Sequence, residues 1–205
     1  MSVVPASTRE LLERLTQRGD LAVVEAPVSA DLELAEIHRR VIAAGGPALL
    51  FRRVVGRDFP VATNLFGTRE RVLLAFGERP RELIAQVAAL PHELLPPSPA
   101  KLWKQRGLFL DLLKVGLARR SRAPATACIE RPPRLTRLPA LRTWARDGGP
   151  FVTLPLVLTE HPETGIPNLG MYRIQVFDDG HTGLHMQIGK GGGFHLKRAE
   201  ELGRP

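Results

Sequence analysis

Apolar positions along this chain change period part-way: they recur at helical spacing through much of the first half and alternate, strand-like, beyond residue 150. Leu11, Leu12 and Leu15 form an apolar stripe behind Ser7 and Glu10, which have capping-box spacing, and Gly19 follows as a stop. That pattern predicts a helix over residues 8–18. LAVVE at 21–25 reads as a strand. Asp31 stands where a second helix should open, with Leu34, Ile37 and Val41 on one face and Gly45 and Gly46 ending it. ALLFRRVV and PVATN read as strands, followed by helices around residues 68–76 and 80–90. Alternation of this kind implies an α/β layer.

Four prolines between Pro91 and Pro99 predict a linker or surface crossing, since each proline removes a donor and restricts its predecessor. A helix over residues 102–117 should follow, with Trp103, Leu108, Leu110 and Leu113 as packing residues. Residues 124–150 read as irregular chain with short strands, and FVTLPLVLT then begins an antiparallel sheet.

The chain has 205 residues, 43% hydrophobic and 24% charged, which is ordinary for a globular protein of one large or two small domains. No apolar run reaches membrane-spanning length and the start lacks a signal-peptide pattern, so a cytoplasmic protein without a transmembrane segment is expected. The single Cys128 excludes an internal disulfide and is expected to be a small buried or half-buried residue. Net charge is +8, from 29 basic and 21 acidic residues. Much of the surplus lies between Lys101 and Arg146, where arginines alternate with prolines and leucines rather than aromatics. That favours a solvated or interface surface over nucleic-acid binding.

Residues 166–195, IPNLGMYRIQVFDDGHTGLHMQIGKGGGFH, carry the candidate chemistry. NLGMYRIQV and TGLHMQI alternate like strands around a DDG turn, and so read as one hairpin. Asn168, Gly170 and Tyr172 then share one face, and Met171, Arg173 and Gln175 the other. An arginine among apolar neighbours needs a partner anion or a rim position. Gly189, Lys190, Gly191, Gly192 and Gly193 follow as a cation set in four glycines, able to bring N–H groups close to an anion. The spacing fits neither the Walker nor the dinucleotide fingerprint.

NLGMYR followed by HMQIGKGGGFH resembles the flavin-site hairpin of the UbiD-type decarboxylases, the 3-octaprenyl-4-hydroxybenzoate carboxy-lyase-like enzymes. LLERLTQRGDLAVVEAPVSADLELAEIHRRV, GPALLFRRVVG and NLFGTRERVLLAFG resemble that family's amino-terminal part in the same order. The resemblance implies an α+β chain with an amino-terminal α/β domain over 1–99 and a helical and irregular connection over 100–149. The beginning of an antiparallel split-β-barrel flavin-binding domain would fill 150–205. It also implies prenylated FMN with manganese or another divalent metal, and non-oxidative decarboxylation of an aromatic or unsaturated acid, of the kind used in ubiquinone or menaquinone biosynthesis. Carried over by position, Asn168 is a metal ligand and Arg173 the catalytic arginine. Met171, Tyr172, Arg173, His185, Met186, Gln187, Lys190 and Gly191 contact the cofactor.

Two departures accompany the resemblance. Gly189 stands where many members carry a metal-binding histidine, leaving His185 or His195 as substitutes. The chain is also under half the family's usual length, and the acids expected as further metal ligand and proton donor fall outside it. Glu160 and Glu163 read as solvated loop carboxylates. The chain is therefore expected to be a fragment, a truncated product or one part of a split enzyme, homo-oligomeric or associated with the missing portion. A non-catalytic flavin-binding or subunit-interaction protein is the alternative.

Overall fold

A computed structural model describes residues 4–96, 98–113, 123, 126–187 and 189–204. Helix α1 (Thr8–Gln17) forms as the spacing requires: Ser7 Oγ accepts from Glu10 N–H at 3.3 Å, and Glu10 Oε2 accepts from Ala6 N–H at 2.8 Å. Strand β1 (Leu21–Val24), helix α2 (Glu33–Ala43) and strand β2 (Ala48–Phe51) then make a parallel crossover, and β3 (Val61–Thr63) adds antiparallel to β2. Leu34 from α2, Leu49 and Phe51 from β2, and Val28 and Val54 beside them are buried together, with Ile37, Val41 and Val61 partly buried against them. The apolar stripe of α2 therefore faces this small sheet.

Asp31 does not open α2. Leu32, at φ +64°, holds the cap position without a side-chain bond, while Asp31 is drawn into a bridge and ion pair with Arg142. Helices α3 (Arg69–Phe76) and α4 (Arg79–Leu94) follow. The Thr68 hydroxyl caps α3. The linker expected from Pro91 begins later, because α4 runs through that proline and stops at Leu95, before Pro96. The helix expected over 102–117 is two short ones, α5 (Pro99–Lys104), capped by Ser98, and α6 (Arg106–Leu112); residues 114–117 lie outside the described residues. Of its four expected packing residues only Leu108 is buried; Trp103 is 70% exposed, with the Arg106 guanidinium over its ring. Cys128 is exposed, not buried.

Residues 126–150 are irregular, with one short 3-10 turn at Leu135–Arg137. Their arginines are spread over ion pairs: Arg134 with Glu130, Arg137 with Asp58 and Glu130, Arg142 with Asp31. Strands β4 (Phe151–Val152), β5 (Leu156–Glu160), β6 (Pro167–Met171), β7 (Ile174–Val176) and β8 (Thr182–Leu184) form two small antiparallel sheets, β4-β7-β8 and β5-β6, before helix α7 (Gly191–Glu201). No closed barrel occurs among the described residues.

Contacts group the chain into two compact units, neither continuous in sequence: residues 1–18 with 65–129, and 19–64 with 130–205. Among the described residues the first unit is helical, and the second holds the strands together with α2 and α7. Among the described residues no helix is long and apolar enough to cross a membrane.

Candidate functional site

The site is built where the chain leaves one sheet for the other. NLGMYRIQV is not a continuous strand: Tyr172 and Arg173 break it, so β6 pairs with β5 while β7 pairs with β4 and β8. The hairpin around the DDG turn is thus β7–β8 alone, closed by Asp178 Oδ1, which accepts from the N–H groups of Gly180 and His181 at 2.8 Å each. His185, Met186 and Gln187 follow β8 as irregular chain.

At the break, Tyr172 is buried beneath α7. Its Oη accepts from Gly192 N–H at 2.8 Å and from Asn168 Nδ2 at 3.2 Å. Asn168 Nδ2 also donates to Thr159 Oγ1 at 3.2 Å, which lies 3.0 Å from His195 Nδ1. The face-sharing expected of Asn168, Gly170 and Tyr172 holds, and it explains the glycines. A Cβ on Gly170 would meet the Tyr172 ring at 2.3 Å, and one on Gly191 would meet Asn168 Oδ1 at 2.2 Å. Of the glycine cluster only Gly189 (φ +84°) and Lys190 are a turn; Gly191–Gly193 are the first turn of α7. A helix start presents N–H donors without intrahelical partners. Tyr172 takes that of Gly192, while those of Gly191 and Gly193 have no protein acceptor among the described residues.

On the opposite strand face lies an open cleft of about 580 Å³. Met171, Tyr172, Arg173, His185, Gln187 and Lys190 all line it, as do Phe151 and Gln175. Met186 and Gly191 do not; Met186 packs its sulfur towards Gly192. Lys190 is exposed and holds the cap position of α7, so a cation lines the cleft where that helix begins.

Arg173 has the partner anion its position demands. Its Nη1 and Nη2 donate to Asp147 Oδ1 and Oδ2 at 3.1 and 2.9 Å, and its guanidinium lies 4.0 Å from the centre of the Phe151 ring. Asp147, with a side chain only 11% exposed, also accepts from Trp144 N–H at 3.1 Å. The Arg173 guanidinium, more than these backbone bonds, holds the Asp147 carboxyl below the usual carboxylate range. Nothing in the sequence pointed to Asp147, which sits in an ordinary ARDGG turn 26 residues away.

A depressed folded-state pKa gives stability that is present above the ordinary aspartate value of about 3.9 and lost as pH falls through the folded one. Asp147→Asn should therefore lower the melting temperature at pH 5 to 8 and converge on the wild type near pH 2. A constant offset across that range would contradict the ion pair.

Of the two carboxylates read as solvated loop residues neither lines the cleft, and Glu160 ends strand β5 rather than lying in the loop. Glu163 is paired with Arg198, at 2.6 Å from its Nε, and that guanidinium lowers its pKa; Glu160 is exposed. The metal expectation also finds little support in these residues. Asn168 offers one free oxygen, Oδ1, and no cluster of three His, Cys, Asp or Glu occurs among the described residues. His195 joins Asn168 only through Thr159, and His185 lines the cleft.

The amino-terminal domain model of 3-octaprenyl-4-hydroxybenzoate carboxy-lyase matches residues 12–90, and the Rift-related domain model of the same enzyme matches residues 117–205. The chain belongs to the UbiD family. A Chlamydia pneumoniae protein, named as one of the subunits of a 4-hydroxybenzoate decarboxylase, is 52% identical over 195 residues, 94% of this chain and 33% of that protein. An uncharacterized Chlamydia trachomatis protein is 48% identical, over 95% of this chain and 34% of its own length. Among solved structures, the UbiD-class enzyme HmfF from Pelotomaculum thermopropionicum in complex with prFMN superposes with a TM-score of 0.72 at 25% identity, covering 98% of this chain and 43% of that one. Vanillic acid decarboxylase of Sedimentibacter hydroxybenzoicus in its closed form gives 0.75 at 25% identity, over 99% and 42%. This UbiD-family chain thus spans about a third of the first curated relatives and about two-fifths of the solved ones.

Proposed function

We propose that the cleft holds prenylated FMN, and that the chain is the cofactor-holding portion of a carboxy-lyase acting on an aromatic or unsaturated acid. The observation that carries this reading is that Arg173 and Lys190, the residue from which α7 starts, line one cleft of flavin-compatible size. The solved relative HmfF is described in complex with prFMN and with FMN, which supports a flavin here. When bound, such a cofactor accepts the carbanion character left as carbon dioxide departs.

The chain's own residues do the rest. Lys190 and the N–H groups of Gly191 and Gly193 hold the phosphate. Tyr172 and Asn168 fix the start of α7 from below, so these donors are in place before the ligand arrives. Asp147 takes two of Arg173's donors and leaves the others for the flavin edge or the substrate carboxylate. Among the described residues a divalent metal would find Asn168 Oδ1 as its one oxygen in this site.

Association with further polypeptide is part of the reading. Leu156, Leu158, Leu169 and Met171 share one face of the β5–β6 sheet and are 50% to 68% exposed. Such a surface favours an interface. Light scattering should find the isolated chain oligomeric; a well-folded monomer would remove the homo-oligomer.

Flavin uptake tests the assignment. The purified chain mixed with prenylated FMN and passed through a desalting column should retain flavin absorbance, and a colourless protein would count against it.

A further inference from the structure

Helices α5 and α6, in the helical unit, turn apolar residues outward. Trp103, Leu110 and Leu113 are 58% to 82% exposed, and with Arg106 they recur every three or four residues, which sets them on one face. The face carries across the junction between the two helices. Gln105 N–H donates to the Lys101 carbonyl and the Gln105 carbonyl accepts from Phe109 N–H, both at 3.2 Å, so the helical course is kept. Leu108, on the opposite side, is the buried one. Scattered apolar residues on a surface are ordinary, but a stripe of them along a helix pair marks a contact face.

The charge around the stripe says what that contact is. Lys101 donates to the carbonyls of Leu95 and Pro96 and Arg106 to that of Trp103, each at 3.0 Å, and Lys104 is exposed. None of these three cations has a carboxylate partner among the described residues, and the one acid among residues 99–113, Asp111, is already paired with Arg79 at 2.6 Å. The Arg106 guanidinium lies 4.8 Å from the centre of the Trp103 ring, so charge and aromatic are presented together. An acidic protein surface would answer the cations and leave the stripe wet; an apolar one would cover the stripe and strand the cations. An anionic lipid surface takes both, because Trp and Leu enter the acyl boundary while Lys and Arg reach the headgroup phosphates. Both helices lie between the stretches that match the family's domains, residues 12–90 and 117–205, which places the face outside either domain.

We infer that α5 and α6 seat the chain on an anionic lipid surface, with Trp103, Leu110 and Leu113 in the acyl boundary and Lys101, Lys104 and Arg106 at the phosphates. The helices lie on that surface and do not cross it: they have 6 and 7 residues, against about twenty for a span.

Vesicles test the inference on the purified chain, one set of phosphatidylcholine alone and one of phosphatidylcholine mixed with phosphatidylglycerol. The chain should bind the mixed vesicles at least about tenfold more tightly than the neutral ones in a sedimentation assay, and high salt should erase the difference. Trp144→Phe leaves Trp103 as the one indole, because the chain has two tryptophans. In that background brominated acyl chains in the mixed vesicles should quench the fluorescence, which reports entry past the headgroups. Leu113→Asp should weaken binding about tenfold or more and Lys104→Gln about fivefold, the scale of one buried apolar side chain and of one charge at such a surface. Both positions are exposed, so circular dichroism should report native folds for both variants. No binding to the mixed vesicles would overturn the inference. Binding that Leu113→Asp leaves unchanged, or binding without quenching, would also overturn it, since cations would then be adsorbing to charge alone. So would self-association in light scattering that Leu113→Asp abolishes, with no vesicle binding by the parent chain, which would assign the face to polypeptide.

Discussion

Gly170→Ala should destabilise the protein by about 1 to 3 kcal/mol, the usual cost of forcing an extra carbon into a packed site. The added Cβ would lie 2.3 Å from Cε2 and 2.8 Å from Oη of Tyr172, a ring held from the other side by Gly192 N–H and Asn168. Tyr172 is buried and cannot swing into solvent without abandoning both bonds. Flavin uptake should fall with stability, because Tyr172 lines the cleft and also anchors the start of α7. Gly107 provides the opposite sign. It lies in α6 with open space around its Cα, so Gly107→Ala should be neutral or stabilise by up to about 1 kcal/mol. Urea unfolding of the two variants reads both numbers. A Gly170→Ala protein as stable as wild type would mean that Tyr172 does not pack as described.

Arg173→Ala should weaken FMN binding about tenfold or more, the scale of one charged hydrogen bond. It also leaves Asp147, mostly buried, without its cation and close behind the cleft that Arg173 lines and an anion must enter. Arg173→Lys should recover only part of the loss, since an ammonium cannot reproduce the bidentate contact or lie flat on Phe151. The double variant Arg173→Ala with Asp147→Asn separates the two causes: if the stranded carboxylate matters, affinity returns part-way. Equilibrium dialysis with FMN measures all of these, and an Arg173→Ala protein with unchanged affinity would remove arginine from the ligand-binding set.

Local sequence signals were most reliable where a single element carried them. The capping box of α1, the β1–α2–β2 crossover and the turn at Asp178–Gly180 all appear where spacing and turn chemistry place them. Misreadings arose where distant residues decide. Asp31 forms a local cap only if it has nothing better to bind, and Arg142 supplies that, 111 residues on. NLGMYRIQV alternates as one strand would, but the two halves find different partner strands, so the ladder breaks at Tyr172. The glycine cluster read as a phosphate-cradling loop, yet most of it is helix, and its lack of side chains answers to Asn168 and Tyr172 pressing from below. Six of the residues expected around the cofactor do line one cleft, but strand alternation is not the reason: three are consecutive at the break after β6 and three lie in non-strand chain beyond β8. Asp147 was invisible for the reason Arg142 was: an ion pair across a fold leaves no trace in spacing.

The most direct test of the cofactor assignment compares FMN with riboflavin, which differ only by the phosphate. Titrating each into the purified chain and into Lys190→Ala, with quenching of flavin fluorescence as readout, isolates what the turn and the start of α7 contribute. FMN should bind the wild-type chain at least about tenfold more tightly than riboflavin, with a preference that shrinks in high salt and in Lys190→Ala. Equal affinity for the two flavins in the wild-type chain would contradict a phosphate site at Lys190.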